Sequence, residues 1–285
     1  MNTTLDDFFR ALDEAPLRTW SLIVTIYGDC VMPRGGELWL GTLTEILGAL
    51  GVEAGSVRTA MSRLARDGFL ERRRLGRTSH YALSAAALAV SREAERHIYR
   101  RSPPEAPAGW ELAIAGATGE ADRRAMASLG YETIAPGVFV RPRRSEAEEP
   151  PQGTIRLCAS GDDEALARAV YPLGEIAARY AAYATAARVV EAEAPAVEGL
   201  EAVALRVGIV HAFRRIVLRD PRLPASALPA DWSAPAAHAA FARTYAALEP
   251  ASDAWLEANA RNARGPLPPP DAGHRFADGD PSRDV

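Results

Sequence analysis

The stretch AGSVRTAMSRLARDGFLERRRLGRTSHYAL, residues 54–83, decides the fold of the N-terminal part of this chain. Four apolar residues recur in it at spacings of three and four, which places them on one face of a helix: Val57, Ala60, Met61 and Leu64. Gly68 ends this helix. Two runs rich in β-forming residues, 69–75 and 78–83, then flank Gly76-Arg77 and predict a hairpin with a positive φ at the glycine. A helix followed by such a hairpin is typical of the second half of a winged helix-turn-helix.

The other face of the predicted helix and the hairpin carry hydroxyl and guanidinium groups, which are able to reach base edges and phosphates. Seven Arg stand against Asp67 and Glu71 in this stretch, so its local charge is +5 in a chain with a net charge of −4. Because polyanion binding depends on where the cations lie, we predict an interface with double-stranded DNA. The predicted DNA-binding residues are Ser56, Arg58, Thr59, Ser62, Arg63, Arg66, Arg72, Arg73, Arg74, Arg77 and His80.

The predicted roles differ between the helix and the hairpin. Arg63 is the best candidate for a guanine edge, whereas the hairpin arginines are better suited to phosphates or to the minor groove. Arg58 is equally able to pair with Asp67 or Glu71 inside the domain. The alternative for the whole stretch is a solvated amphipathic helix with a charged surface hairpin.

Length and composition bound the protein class. A chain of 285 residues, 48% hydrophobic and 25% charged, is long enough for two or three globular domains. All 33 basic residues are Arg, which excludes lysine-based catalysis. Cys30 and Cys158 lack the spacing of a disulfide framework or a zinc site, and we expect no cofactor and no metal. No apolar run is long enough to span a bilayer and the first residues are not signal-like, so a cytoplasmic protein is expected.

The pattern along the chain predicts an α+β fold with three domains and a tail. Residues 1–101 form a winged helix-turn-helix domain, in which the glycine-rich run 28–41 is a loop around a short strand at 38–40. After the Pro-rich linker 102–109, the order β-α-β-β-(β)-α over 110–175 predicts a ferredoxin-like domain. Residues 176–264 form a helical C-terminal domain, with one helix running from 164 to 193, and 265–285 are expected to be disordered or loosely docked.

Three strings, IYGDCVMPRGGELWLG at 26–41, VRTAMSRLARDGFLERRRLGRTSHYALS at 57–84 and FRRIVLRDPRLPASALPADW at 213–232, carry a resemblance. They resemble the PaaX family of bacterial transcriptional repressors, and the resemblance extends to about residue 264. It implies a repressor of a phenylacetic acid degradation operon that binds palindromic operators as a homodimer and is released by phenylacetyl-coenzyme A. It also implies a central ferredoxin-like domain, similar to a CRISPR-associated nuclease fold, between a winged-helix domain and a helical one.

The effector site is less visible in the sequence. An acyl-coenzyme A needs guanidinium groups for its phosphates and an apolar slot for its acyl group. Two sets offer both: Arg34 with Trp39, and Arg214 and Arg215 with Trp232. The competing interpretation is structural, because Arg34 is suited to brace a turn, the paired arginines to form ion pairs, and the tryptophans to pack in a core or an interface.

The alternative functions are a metal-dependent nuclease and a constitutive DNA-binding protein. A metal-dependent nuclease needs clustered carboxylates, but the first strand of the central domain ends in Ile114-Ala115-Gly116, with Glu120 and Asp122 on the next helix, so the expected ligand is missing. No G-x-S-x-G, P-loop or G-x-G-x-x-G motif occurs and the five His are dispersed, which argues against an enzyme. A constitutive DNA-binding protein would use residues 110–264 as scaffold only.

Overall fold

A computed structural model describes residues 3–12, 18–104, 109–116, 119–144, 149–271, 273 and 275–276. The described chain combines helices with antiparallel sheets, which confirms the α+β prediction. It divides into two compact units. The first unit contains Met1–Ser102, Arg179–Leu218 and Ala234–Val285, and the second contains Pro103–Ala178 and Arg219–Ser233.

The first unit is built mainly of helices. Its helices are α1 (Thr3–Ala11), α2 (Thr19–Ile26), α3 (Leu40–Ala49), α4 (Ala54–Arg66), α5 (Ala85–Ile98), most of α8 (Leu173–Glu193), α9 (Gly199–Val217) and α10 (Ala234–Asn259). Its strands are β1 (Glu37–Trp39), β2 (Leu70–Leu75), β3 (Thr78–Leu83), β8 (Arg261–Asn262) and β9 (Gly265–Pro266). Helix α9 is buried along most of its length and packs against α2, α3, α5 and α10, so it is the central element of this unit.

A three-stranded antiparallel sheet follows the order β1-β3-β2 beside α3 and α4. The predicted hairpin is confirmed: β2 and β3 are joined through Gly76, whose φ is +57°, and Leu75 pairs with Thr78. Gly51 has a φ of +79° and forms the turn between α3 and α4, as expected of a residue without a Cβ. The Ser84 side chain accepts a hydrogen bond from the Ala87 backbone and caps α5.

Two predicted elements were wrong. The run predicted as a loop from residue 28 continues helically, as one π-helical turn over Tyr27–Val31 and a 3-10 turn over Met32–Arg34, and only then reaches β1. The helix predicted from 164 to 193 is interrupted, because Pro172 has no backbone N–H for the preceding helix, and α7 (Asp163–Val170) ends before it.

The second unit contains β4 (Trp110–Ile114), α6 (Glu120–Ser128), β5 (Glu132–Ala135), β6 (Val138–Pro142), β7 (Ile155–Ala159) and α7. Its four strands form one sheet in the order β5-β6-β4-β7, and every neighbouring pair is antiparallel. Trp110 and Tyr171 stack in its core, with ring centroids 6.3 Å apart. The Trp110 indole N–H donates to Asp163 at 2.8 Å, so the first strand is fixed to the start of α7.

The two compact units differ from the predicted three-domain division, because the segments at the beginning and the end of the chain lie in the same unit. Which segments fold independently stays a prediction. Part of the predicted tail, 265–271, 273 and 275–276, lies within the described residues. Leu267 is buried, and Arg275 places its guanidinium among buried carboxylates of the first unit.

Candidate nucleic-acid interface

Helix α4 separates its residues into two faces, as the spacing predicts. Its apolar face is buried and consists of Val57, Ala60, Met61 and Leu64. The six residues predicted to contact DNA from this helix are all exposed: Ser56, Arg58, Thr59, Ser62, Arg63 and Arg66. The helix is therefore held by packing on one side, while its other side presents hydroxyl and guanidinium groups to solvent.

The hairpin presents its arginines in the same way. Arg72, Arg73, Arg74 and Arg77 are all exposed. Two of them are oriented by the hairpin itself, since Arg72 donates to the Ser79 hydroxyl at 3.0 Å and Arg74 donates to the Gly76 carbonyl at 3.2 Å. These contacts shape the cationic strand without neutralising its charge.

Asp67, at the end of α4, pairs with two of the helix arginines. Its carboxylate lies 3.4 Å from Arg63 Nε and 3.4 Å from Arg66 Nε. All three side chains are about half exposed or more, and ion pairs of that kind contribute little and exchange readily. Arg58 has no such pair with Asp67 or Glu71 among the described residues. The predicted alternative of an internal partner for Arg58 is therefore not supported.

His80 does not fit the predicted interface. Its side chain is only 6% exposed, because β3 is the central strand of its sheet and His80 pairs with Trp39 on one side and Arg73 on the other. Its Nε2 lies 3.0 Å from the Thr78 hydroxyl, and its Nδ1 lies 3.9 Å from Glu37. His80 consequently supports the hairpin from within and is removed from the predicted DNA-binding set.

Arg34 and Trp39, which were predicted to share an effector site, have different surroundings. Arg34 is 1% exposed and forms an ion pair with Asp253 at 2.8 Å, so it has a structural partner. Trp39 is 36% exposed and lies over Gly41, where a Cβ would come within 2.4 Å of the ring. With Arg77 it lines an open cleft of about 550 Å³, so Trp39 belongs beside the hairpin.

The residues of the second predicted effector set belong to different units. Arg214 belongs to the first unit, where it donates to the Ser21 hydroxyl at 3.1 Å. Burial and the nearby Arg215 lower the pKa of Arg214 to about 10, although Tyr99 acts in the opposite direction. Trp232 belongs to the second unit and packs against its apolar core. Each residue therefore has a structural role within its own unit.

A buried cluster of charges was missed in the sequence. Three carboxylates and three guanidinium groups form it: Asp29, Glu95 and Asp253 with Arg34, Arg206 and Arg275. Asp29 accepts from Arg206 Nε at 2.9 Å, from the Tyr99 hydroxyl at 2.7 Å and from the Tyr245 hydroxyl at 3.1 Å. Burial alone would raise the pKa of Asp29, but the guanidinium groups of Arg206 and Arg275 lower it to about 2. The Asp29 carboxylate is therefore ionised at neutral pH.

The sequence signals for this cluster are faint. Asp29 and Arg206 are single charges within apolar helical segments, and a charge on an apolar face needs a partner. Their partners lie far along the chain, at positions that periodicity does not connect.

The described part of the chain contains no ready site for a metal ion. No group of three His, Cys, Asp or Glu side chains there is placed to hold an ion. Cys30 is buried and Cys158 is exposed, and both are free thiols. Among the described helices, none combines the length and the apolarity needed to cross a lipid bilayer.

Two family models, both described as PaaX-like, match separate parts of the chain. Residues 18–87 match the family model described as PaaX-like protein, and residues 171–258 match the model described as PaaX-like protein C-terminal domain. The chain is 30% identical over 295 aligned residues to the transcriptional repressor PaaX of Escherichia coli (strain K12). That alignment covers 93% of this chain and 92% of the relative.

Proposed function

Because the chain belongs to the PaaX family, we propose that it is a DNA-binding transcriptional repressor of an aromatic-acid, namely phenylacetate, catabolic operon. The observation that carries the proposal is the exposed face of α4, which combines three hydroxyl-bearing residues with three arginines beside the cationic hairpin. The 30% identity to a transcriptional repressor, over 93% of this chain and 92% of the relative, supports it.

In this proposal the N-terminal segment is a winged helix-turn-helix. Helices α3 and α4, joined through Gly51, are the helix-turn-helix, and α4 enters the major groove. The β2–β3 hairpin is the wing, whose arginines hold phosphates or lie in the minor groove. Affinity that depends on so many cations falls steeply with salt.

The second unit is proposed to be a ferredoxin-like domain that serves dimerisation or ligand sensing. The strand order β5-β6-β4-β7 and the antiparallel neighbours support this assignment. The order of elements along the chain departs from it in one respect, since α7 follows the fourth strand instead of preceding it. We assign the unit no catalytic role.

Regulation is proposed to be negative allostery in a homodimer on a palindromic operator. Phenylacetyl-coenzyme A, or a related acyl-coenzyme A, binds best to a conformation whose two recognition helices are wrongly spaced for adjacent half-sites. Ligand and operator then weaken each other by the same factor. The protein acts without a cofactor in the cytoplasm.

Sequence-specific binding is the direct test of the repressor assignment. The purified chain is titrated onto a labelled fragment from upstream of its own operon and onto a shuffled fragment of equal length, at several salt concentrations. We expect the operator fragment to bind at least about 10³-fold more tightly than the shuffled one. Equal affinities would instead identify a constitutive, non-specific DNA-binding protein.

A further inference from the structure

Two residues near the C-terminus, Arg275 and Phe276, enter the interior of the first unit. The Arg275 guanidinium donates to Glu95 Oε1 at 2.7 Å, to Asp29 Oδ1 at 3.1 Å and to the Gly28 carbonyl at 3.1 Å. It also donates to the Tyr245 hydroxyl at 2.9 Å. The Arg275 guanidinium is thus hydrogen-bonded to four residues of the first unit.

Phe276 fills a slot with aromatic walls. Its ring centroid lies 5.8 Å from that of Tyr99, 5.6 Å from that of Phe241 and 5.3 Å from that of Tyr245. The Phe276 backbone N–H donates to the Tyr99 carbonyl at 2.9 Å, and its own carbonyl accepts from Arg101 Nε at 3.2 Å. The side chain is only partly buried, so it closes the slot at the surface of the unit.

The Phe276 backbone is strained. Its φ is +57°, in the left-handed region that favours glycine and is unfavourable for a bulky side chain. This strain persists because Arg275 on one side and the aromatic slot on the other hold the segment. Withdrawing Phe276 would relieve the strain at the cost of its two backbone hydrogen bonds and of apolar contacts that another ring can replace.

Arg275, in contrast, cannot be withdrawn cheaply. The buried cluster contains three carboxylates and three guanidinium groups, so its charges balance only while Arg275 is present. Removing one partner from such a cluster leaves a buried charge without compensation. The segment therefore combines a fixed anchor with a replaceable neighbouring ring.

We propose that the aromatic slot formed by Tyr99, Phe241 and Tyr245 binds a ligand with a benzyl-sized aromatic group, and that Phe276 is an internal occupant which this ligand displaces. The Phe276 side chain is itself a methylene bearing a phenyl ring, so its fit defines the size and the chemistry of the group. Arg101, whose Nε donates to the Phe276 carbonyl, favours a ligand whose ring carries an anionic extension. An arylacetyl thioester or arylacetate has this composition.

The effect of this ligand on DNA rests on the proposed function, whereas its binding in the slot does not. Tyr99 follows directly after α5, which itself follows the hairpin strand β3, so displacing Phe276 releases a backbone hydrogen bond to the segment behind the wing.

The test uses isothermal titration of the full chain with phenylacetyl-coenzyme A and with acetyl-coenzyme A. Phe276→Ala should bind phenylacetyl-coenzyme A about 10-fold or more tightly than the parent chain, because the internal competitor is gone. Its affinity for acetyl-coenzyme A, which has no ring, should not change. Asp271→Ala, an exposed change in the same segment, is the control and should resemble the parent. Equal affinities of Phe276→Ala and the parent for phenylacetyl-coenzyme A would overturn the inference.

A second measurement separates this inference from the proposed function. If phenylacetyl-coenzyme A binds neither protein, the proposed effector is wrong, and toluene then tests the slot alone. Toluene should raise the Tm of Phe276→Ala but not that of the parent or of Asp271→Ala, as expected for a vacated apolar site. An unchanged Tm of Phe276→Ala with toluene would overturn the inference.

If Phe276→Ala does not fold, 4-fluorophenylalanine at position 276 reports displacement of the ring. Its ¹⁹F chemical shift should change on adding phenylacetyl-coenzyme A, and an unchanged shift would contradict the inference.

Discussion

Arg63 and Arg73 are both exposed, but they lie on elements that would meet different parts of a DNA duplex. Arg63 on α4 faces the groove in the proposed complex, and releasing its half-exposed pair with Asp67 costs little. Arg73 lies on β2 of the hairpin, where a phosphate contact is sequence-independent. The proposal thus assigns discrimination to one residue and general affinity to the other.

We expect Arg63→Ala to weaken operator binding by about 1–3 kcal/mol while leaving binding to shuffled DNA nearly unchanged. Arg73→Ala should weaken both by a similar factor and reduce the slope of log affinity against log salt by about 1. Anisotropy titrations at several salt concentrations measure both effects. Arg188→Ala, an exposed arginine of α8, is the control. Identical behaviour of Arg63→Ala and Arg73→Ala would contradict this division of roles.

His211 makes stability sensitive to acid. It is buried and lies 2.9 Å from the Thr25 hydroxyl through Nδ1. Burial, and then the charges of Arg214 and Arg215, lower its pKa from 6.5 to about 3. Because the folded pKa is lowered, the unfolded chain binds the proton first as the pH falls, so stability is lost below about pH 6.5.

Between pH 7 and pH 5 the free energy of unfolding should fall by about 2 kcal/mol more in the parent chain than in His211→Asn. An asparagine amide is able to keep the hydrogen bond to Thr25 without titrating. Urea unfolding at each pH measures the difference. Parallel pH profiles for the two proteins would show that His211 is not the group responsible.

The burial or exposure of single residues was predictable where helical spacing decides it. The spacing of Val57, Ala60 and Met61 correctly identified the buried face of α4 and thereby the exposed one. His80 and Arg34 were not predictable in this way. His80 is buried because β1 joins its strand from another part of the chain, and Arg34 is paired with Asp253 from the far end of the sequence.

At the scale of elements, the hairpin depends on one backbone position. Gly76 has a φ of +57° in the turn, while Gly48 in α3 is exposed, and a Cβ there would meet nothing within 4 Å. The same substitution should therefore have opposite effects. Gly76→Ala should lower the free energy of unfolding by about 1–2 kcal/mol, and Gly48→Ala should raise it by roughly 0.5–1 kcal/mol. Urea titrations measure both; a stabilising Gly76→Ala would argue against the described turn.

The π-helical turn over Tyr27–Val31 was wrongly predicted as a loop. Glycine and proline around it favoured a loop, but long-range pairing of Asp29 with Arg206 and Arg275 outweighs these local preferences. The helix at residue 172 was misjudged for a different reason, since its apolar pattern continues across the break. Local signals therefore predicted most elements but not where tertiary contacts reshape them.

Replacing Asp29 should damage the first unit severely. Asp29→Asn removes a fully buried carboxylate and leaves an excess guanidinium charge, which should lower the free energy of unfolding by about 3–5 kcal/mol. Asp67→Asn, an exposed carboxylate of the candidate interface, should change it by less than about 1 kcal/mol. Urea or thermal unfolding compares the two. If Asp29→Asn lowered the free energy of unfolding no more than Asp67→Asn does, the buried cluster would make no net contribution to stability.

At the scale of the whole molecule, the described chain groups its beginning and its end in one compact unit. The sequence predicted separate N-terminal and C-terminal domains, because linker composition and periodicity report only local order. The packing of α9 against α2, α3 and α5 joins these segments. Because α9 is buried along most of its length, its sequence pattern does not indicate which elements pack against it. A signal bound among the C-terminal helices would therefore act within the unit that carries the candidate DNA interface.

The most direct test is a fluorescence anisotropy titration of the purified chain onto the DNA upstream of its own operon, at fixed salt, with and without phenylacetyl-coenzyme A. Free phenylacetate and free coenzyme A serve as controls. We predict tight, sequence-specific binding that the thioester weakens by about 5–150-fold and that neither control affects. Specific binding unchanged by saturating phenylacetyl-coenzyme A, or binding no tighter than to shuffled DNA, would contradict it.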